Sequence, residues 1–349
     1  MNIYNYVQLY RAPKLDLHVH LQGAGNLHVI SYLINKNRTA VRTQLLEDIK
    51  LYERLNQYPK IMSILQSNKT TIVDITSLFD YDSINDFFAT YRFLNLFIKS
   101  ASDLNLYLKG IVIDLIKQNI VYADVIISLP ELVAQGIEIP EILAQLGRYN
   151  KIKNIKINWW IDLVRHSGAE NAVNLLKTVV QCDVQNTITG INLGGDEKAE
   201  TLVSFEPVFN LARKNNLKIN LHDGETQIVA NQEKYVEYGV NRIAHGLCYI
   251  QEGICHNFLI EVCLSSNYNT KVIKSVYSHP IFECSTRMRN VVICTDDGTL
   301  FKTNLARELS YILEFYGKQK LIDVVENSLK CVTQEEAMDI IRWYQDNIE

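Results

Sequence analysis

The chain has 349 residues, 47% hydrophobic and 21% charged, with only 15 Gly and 6 Pro. That composition supplies a sizeable core and excludes a disordered chain of low hydrophobicity. A formal net charge of −4, with no basic run interleaved with aromatics, argues against a nucleic-acid binder and for a small-molecule partner.

No stretch reaches transmembrane length, and the opening MNIYNYVQLYRAPK lacks the apolar centre of a signal peptide. The seven cysteines, at 182, 248, 255, 263, 284, 294 and 331, form no CxxC pair and no regular framework. Scattered free thiols of this kind fit a reducing compartment. A cytoplasmic protein without membrane contact is the expectation.

Along the chain, short β-branched or apolar runs alternate with longer helical stretches. The runs cover 15–21, 120–129, 157–164, 189–194, 218–222, 242–245, 259–264 and 291–295. Helical periodicity, with apolar residues returning every three to four positions, marks 85–118, 170–180 and 204–215 between them. Alternation implies parallel pairing, and eight repeats imply closure, so the predicted fold is an α/β (β/α)8 TIM barrel on one domain, 1–349. The interval from 23 to about 117 is too long for one crossover helix. It is expected to form a helical insertion after the first strand, a lid-like cover over the barrel mouth. The segment 305–349 is expected to supply closing helices.

Chemistry-bearing residues gather at the ends of the runs. In LDLHVHL, His18 and His20 are two apart on a strand and so share a face, near the end where barrel sites sit. On its own an HxH pair fits a structural role equally well. Gly23 and Gly25 behind it suit a tight turn with close backbone approach. His222 in LHDGE offers a third imidazole, with Glu225 beside it as a proton-transfer group. His245 in RIAHG would be a fourth, not needed for tetrahedral coordination and available to hold or deprotonate a water. Asp296 and Asp297 end an apolar run, where two carboxylates are costly to bury unless paired or metal-bound. Because strand neighbours face opposite ways, one of the two can ligate metal while the other addresses substrate. Gly194 and Gly195 in INLGGDE would admit a ligand to bare backbone, although a simple turn needs them too. What carries weight is the joint pattern: three His and one Asp on the ends of runs one, five and eight form a zinc shell.

The segments PKLDLHVHLQG, VRH (164–166), NLGGDE, LHDGE, RIAHG, EVCLSSN, SHP (278–280) and TDD together resemble the adenosine deaminase family of the amidohydrolase superfamily, from residue 13 to 297. The resemblance implies a barrel carrying one zinc ion, bound by His18, His20, His222 and Asp296. It implies that Glu225 protonates the purine ring nitrogen beside the reacting carbon, and that His245 orients the attacking water and handles its proton. Asp297 and the backbone of Gly195 match positions that hydrogen-bond other ring nitrogens. The implied reaction is hydrolytic deamination of adenosine or a closely related aminopurine nucleoside to an inosine-like product and ammonia. The alternative zinc deaminase pattern, HxE with PCxxC, is absent.

Several positions depart from the family. Gln22 stands where an Asp usually meets the ribose 5′-hydroxyl; its neutral amide leaves the sugar end open, a phosphate included. Asp223 replaces a small residue, Ile126 an Arg and Gly298 a Pro, and CLSSN lacks the usual Pro. Adenine, an N6-modified purine nucleotide and a futalosine-type nucleoside therefore stand as alternative substrates. A binding protein without turnover would be expected to lose Glu225 or His245, and both are present. A two-metal amidohydrolase would need a bridging Lys where NLGGDE stands.

Overall fold

The structure is a computed structural model that describes residues 3–199, 201–227, 232–253, 258–283 and 290–348. Eight strands run through it: β1 Lys14–His20, β2 Ile120–Ser128, β3 Lys156–Asp162, β4 Ile188–Leu193, β5 Lys218–Asp223, β6 Arg242–His245, β7 Leu259–Val262 and β8 Val291–Ile293. They pair in parallel in sequence order, β1 to β8. Between β8 and β1 the seam is a short parallel bridge from Val19 to Asp296. There Asp296 N donates to His18 O at 2.9 Å, and His20 N donates to Asp296 O at 3.1 Å. The result is a nearly closed TIM barrel with helices between its strands.

The predicted strands are all present, three of them ending two residues early; β3 stops at Asp162 rather than at Val164. The run expected to 264 stops at Val262 because Leu264 opens a helix, Leu264–Asn269. The last run stops at Ile293, two residues before Thr295.

Between β1 and β2 lie six helices: Leu27–Glu47, Ile49–Asn56, Pro59–Gln66, Ile72–Thr76, Ile84–Asn95 and Ala101–Lys117. The expected continuous helical stretch 85–118 is thus two helices. Ser100 causes the break: its backbone is extended, and its side chain accepts from Asp103 N at 3.2 Å, restarting the helix. Ser83 starts the preceding helix in the same way, through a capping box with Asp86. On that helix Ile84, Phe87, Phe88, Tyr91 and Arg92 fall on one face by helical spacing, and all five line the cavity at the barrel mouth.

The barrel interior is not wholly apolar. Arg242 on β6 pairs with Asp124 on β2 at 2.6 Å and with Glu261 on β7 at 2.7 Å. Glu261 also accepts from Asn220 on β5 at 2.8 Å and from His18 Nδ1 on β1 at 2.6 Å. The Arg242 guanidinium stacks 4.5 Å from the centre of the Trp160 ring on β3. Burial raises the Glu261 carboxyl, but Arg242 and His18 override it and hold it below its ordinary range.

Removing one member of such a buried set leaves the others uncompensated. Arg242→Ala is expected to lower stability by about 3–5 kcal/mol, read from urea unfolding at neutral pH. The deficit should shrink as pH falls. Glu261, without Arg242 to hold it down, then titrates higher in the folded than in the unfolded chain, so the folded state gains protons and stability.

Candidate functional site

The sequence-predicted residues meet at the C-terminal mouth of the barrel. His18 and His20 leave β1 on its inner face, His222 sits near the end of β5, and Asp296 lies just beyond β8. Their ligand atoms all lie within 4.8 Å of one another. His20 Nε2 is 3.2 Å from His222 Nε2, and Asp296 Oδ1 is 3.5 Å from His20 Nε2 and 3.6 Å from His18 Nε2.

Two of the three rings, His18 and His222, are aimed by what holds their other nitrogen. His18 Nδ1 donates to Glu261, and His222 Nδ1 lies 3.1 Å from Asn192 Oδ1. Asn192 in turn donates from Nδ2 to Asp162 at 2.9 Å. His18 Nε2 is buried with no hydrogen-bond partner. Burial lowers the His20 ring to about 3 and the His222 ring well below its ordinary value. Both are therefore neutral and present lone pairs. Burial also lowers His18, but the nearby carboxylates of Asp296 and Glu261 override it and push the ring up to about 10. Three convergent imidazole nitrogens, one orphaned, and one carboxylate oxygen fit a single divalent cation.

His245 and Asp296 both take left-handed backbone, with φ of 64° and 61°. That conformation costs a non-glycine residue of order 1–3 kcal/mol, and it is found where surrounding structure enforces it at a working site. It turns the chain sharply at the strand end, so both side chains face the mouth. His245 Nε2 lies 3.9 Å from Glu225 Oε2 and 4.0 Å from Asp296 Oδ2. Burial raises the Glu225 carboxyl above its ordinary range, against the pull of His245. Asp297 is also buried, its Oδ1 lacks a partner, and burial with Asp296 pushes it well up. Gly23 has to be glycine here: a Cβ would sit 1.5 Å from Asp297 Oδ1. Gly195, at φ 88°, lines the same cavity. This solvent-open cavity is about 810 Å³ and includes His20, His222, Glu225, His245, Asp296 and Asp297 in its wall.

Gln22 does not join them. Its Oε1 accepts from Ser128 N at 3.1 Å and its Nε2 donates to Ser128 O at 3.0 Å, extending the β1–β2 ladder with side-chain atoms. It is buried and does not line the cavity. Both ends of the Gln22 amide are thus engaged by the Ser128 backbone. Asp223 is likewise absorbed into structure, accepting from the hydroxyls of Tyr235 and Tyr249.

Other residues contribute that the sequence reading passed over. Asn267 donates from Nδ2 to Glu225 Oε1 at 2.9 Å, and the same atom is 3.3 Å from His245 Nδ1. Glu197 accepts from the backbone N–H groups of Glu225, Thr226 and Gln227 at 2.9, 2.9 and 3.2 Å, and from the Thr226 hydroxyl at 2.7 Å. Arg165, fully buried, donates to the His222 carbonyl. These residues lie inside NLGGDE, EVCLSSN and VRH, so their neighbourhood was legible although their partners were not. Of the cysteines, 182, 248, 263, 294 and 331 are free, while 255 and 284 lie outside the described residues. Among the described residues no helix is long and apolar enough to cross a membrane.

The family model for adenosine deaminase matches residues 61–338, and the chain belongs to that family. An adenosine deaminase from Clostridium perfringens is 25% identical over 319 residues, covering 88% of this chain and 89% of the relative. Solved structures agree in fold. Adenine deaminase from Arthrobacter aurescens superposes with a TM-score of 0.76 at 14% identity, covering 96% of this chain and 98% of its own. N6-methyl-AMP deaminase from Arabidopsis thaliana gives 0.71 at 18% identity, covering 98% of each. A zinc-bound amidohydrolase from Burkholderia ambifaria gives 0.74 at 16% identity, covering 99% and 93%.

The Glu197 carboxylate sets the backbone that carries Glu225. In Glu197→Ala, hydrogen exchange at the amides of Glu225, Thr226 and Gln227 should accelerate. Loss of their acceptor should lower global stability by about 1–3 kcal/mol, read by denaturant unfolding.

Proposed function

We propose that this protein removes the exocyclic amino group from C6 of adenosine or a closely related aminopurine by hydrolysis, with one zinc ion held by His18, His20, His222 and Asp296. The observation that carries this reading is the convergence of those four donors beside the Glu225–His245 pair in one cavity. Zinc, when bound, supplies Lewis acidity that lowers the pKa of water to about 7.

The chain's own residues divide the remaining work. Glu225, whose carboxyl is pushed above its ordinary range by burial and so holds its proton more firmly than a free carboxyl, delivers it to the ring nitrogen next to C6. Protonation there offsets the charge that builds up as the aromatic ring is broken. His245 faces Glu225 and Asp296 through Nε2, in position to orient a water and take its proton. Asn267 suits both protonation states of the acid. Its Nδ2 donates to a carboxylate; turned over, its partnerless Oδ1 accepts from protonated Glu225 and from His245 Nδ1. Asp297 and the Gly195 backbone hold the other ring nitrogens. The apolar face of Ile84, Phe87, Phe88 and Tyr91 displaces water from the purine.

Glu225→Gln should keep its zinc, read by metal analysis, and lose at least about 100-fold in ammonia release from an aminopurine. In the parent protein kcat/KM should fall as pH rises through the elevated Glu225 pKa, because the proton donor is then lost. That alkaline limb should be missing from the variant, and near-normal activity in it would refute the assignment.

Glu261→Gln should weaken zinc by about 10–100-fold in chelator competition. The neutral amide is a poorer acceptor for His18 Nδ1 and leaves Arg242 undercompensated.

A further inference from the structure

The wall of the cavity away from the four metal-facing donors carries a charge that the chemistry at C6 does not use. Arg92, on the cavity face of the helix Ile84–Asn95, is partly buried. Among the described residues no carboxylate lies within 4.0 Å of its guanidinium and it makes no hydrogen bond, so its five N–H donors are left for a ligand. In the same helical segment Lys36 is engaged with Asp103 at 2.5 Å, and Arg42 with the Leu65 and Ser67 carbonyls at 2.7 and 3.0 Å.

The proposed purine orientation sends one end of the substrate toward Arg92, and the inference rests on that reading. With C6 at the metal-facing donors and Glu225 beside it, the opposite edge of the purine, bearing N3 and N9, meets Gly195. Gly195 lies against His166, where a Cβ would be 3.0 Å from His166 Nδ1. His166 and Arg92 both line the cavity wall, and burial lowers the His166 ring with the positive field of Arg92 adding to it. The substituent on N9 therefore leaves the base past His166 and toward Arg92.

Glu131 shares that flank. Burial raises its carboxyl while Arg92 acts against it, yet the two form no ion pair. An acceptor on the helix Leu129–Ala134 and a guanidinium on the helix Ile84–Asn95 packed against it, both in the cavity wall and not joined to one another, match the two halves of a sugar phosphate. Ribose hydroxyls donate to Glu131, and the phosphate oxygens accept from Arg92 in the forked geometry that guanidinium favours. Gln22 is closed off against Ser128 and takes no part.

We propose that the preferred substrate is a purine nucleoside 5′-monophosphate, with Arg92 as the phosphate-binding residue and Glu131 reading the ribose.

The test compares adenosine 5′-monophosphate, adenosine and adenine as substrates of the zinc-loaded protein, and calorimetric binding of inosine 5′-monophosphate against inosine. The monophosphate should exceed adenosine in kcat/KM by at least about tenfold, the scale of one charged hydrogen-bonded contact. Arg92→Gln should cut that ratio at least about tenfold, mostly through KM, with Arg92→Lys restoring part of it. Thermal melting of both variants controls for folding. Equal or better use of adenosine, or an Arg92→Gln loss that falls alike on both substrates, would overturn the inference and leave the deaminase reading standing. No ammonia from any of the three would bring down the deaminase reading, and this inference with it.

Discussion

The Glu261 carboxylate lies at the centre of the barrel with none of its surface exposed, and the site above depends on it. A lone buried carboxylate would be prohibitively costly, so its neighbours are constrained to compensate it. Arg242 supplies the charge, Asn220 a neutral donor and His18 an N–H, from three different strands. Asp124 balances the other side of Arg242 and brings in a fourth. Slipping one strand by one residue would turn its member of the set to the opposite face and strand the rest. The network thus specifies register as well as stability. It also fixes the direction of His18, so that Nε2 emerges at the mouth aimed at its three companions.

Above that layer the structure concentrates groups that a stable core would avoid. Three imidazoles face one another, two adjacent carboxylates are buried, and two non-glycine residues hold left-handed backbone. Each feature opposes folding in isolation. They persist because the apolar barrel and its surrounding helices over-determine the backbone that carries them. The positioning groups form a graded support: Asp162 holds Asn192, which holds His222; Glu197 holds the backbone of Glu225; Asn267 spans Glu225 and His245. A site built this way is rigid before any ligand arrives, which is the condition for electrostatic preorganisation.

The helices between β1 and β2 complete the cavity rather than the barrel. Ser83 and Ser100 set where the helix Ile84–Asn95 begins and where the next one restarts, and that phase decides which residues look inward. The face so chosen is aromatic along most of its length and ends in a single guanidinium. An apolar wall suits a flat heteroaromatic base, and a charge at one end of it gives the cavity polarity along its long axis.

Strand count, order and the cluster at the mouth were legible because they rest on local signals. Alternating apolar runs mark strands, the two-residue spacing of His18 and His20 places both on one face, and acidic or imidazole residues at the ends of apolar runs stand out. The adjacent helices 84–95 and 101–117 were merged because both carry the same periodicity, and only the extended Ser100 separates them. Gln22 was read as a ligand contact because sequence position puts it beside the imidazoles. Pairing with Ser128, 106 residues away, turns its amide into part of the sheet. Glu197 and Asn267 are polar residues in short motifs whose partners lie 22 to 42 residues distant, a separation that carries no periodic trace. By itself, then, the sequence determined the α/β barrel and the donors gathered at its mouth, since strand periodicity and the burial cost of polar groups act locally. The tertiary structure alone decided which polar side chains face the ligand and which hold the scaffold, because that choice depends on hydrogen-bond partners that only closure of the barrel brings within reach.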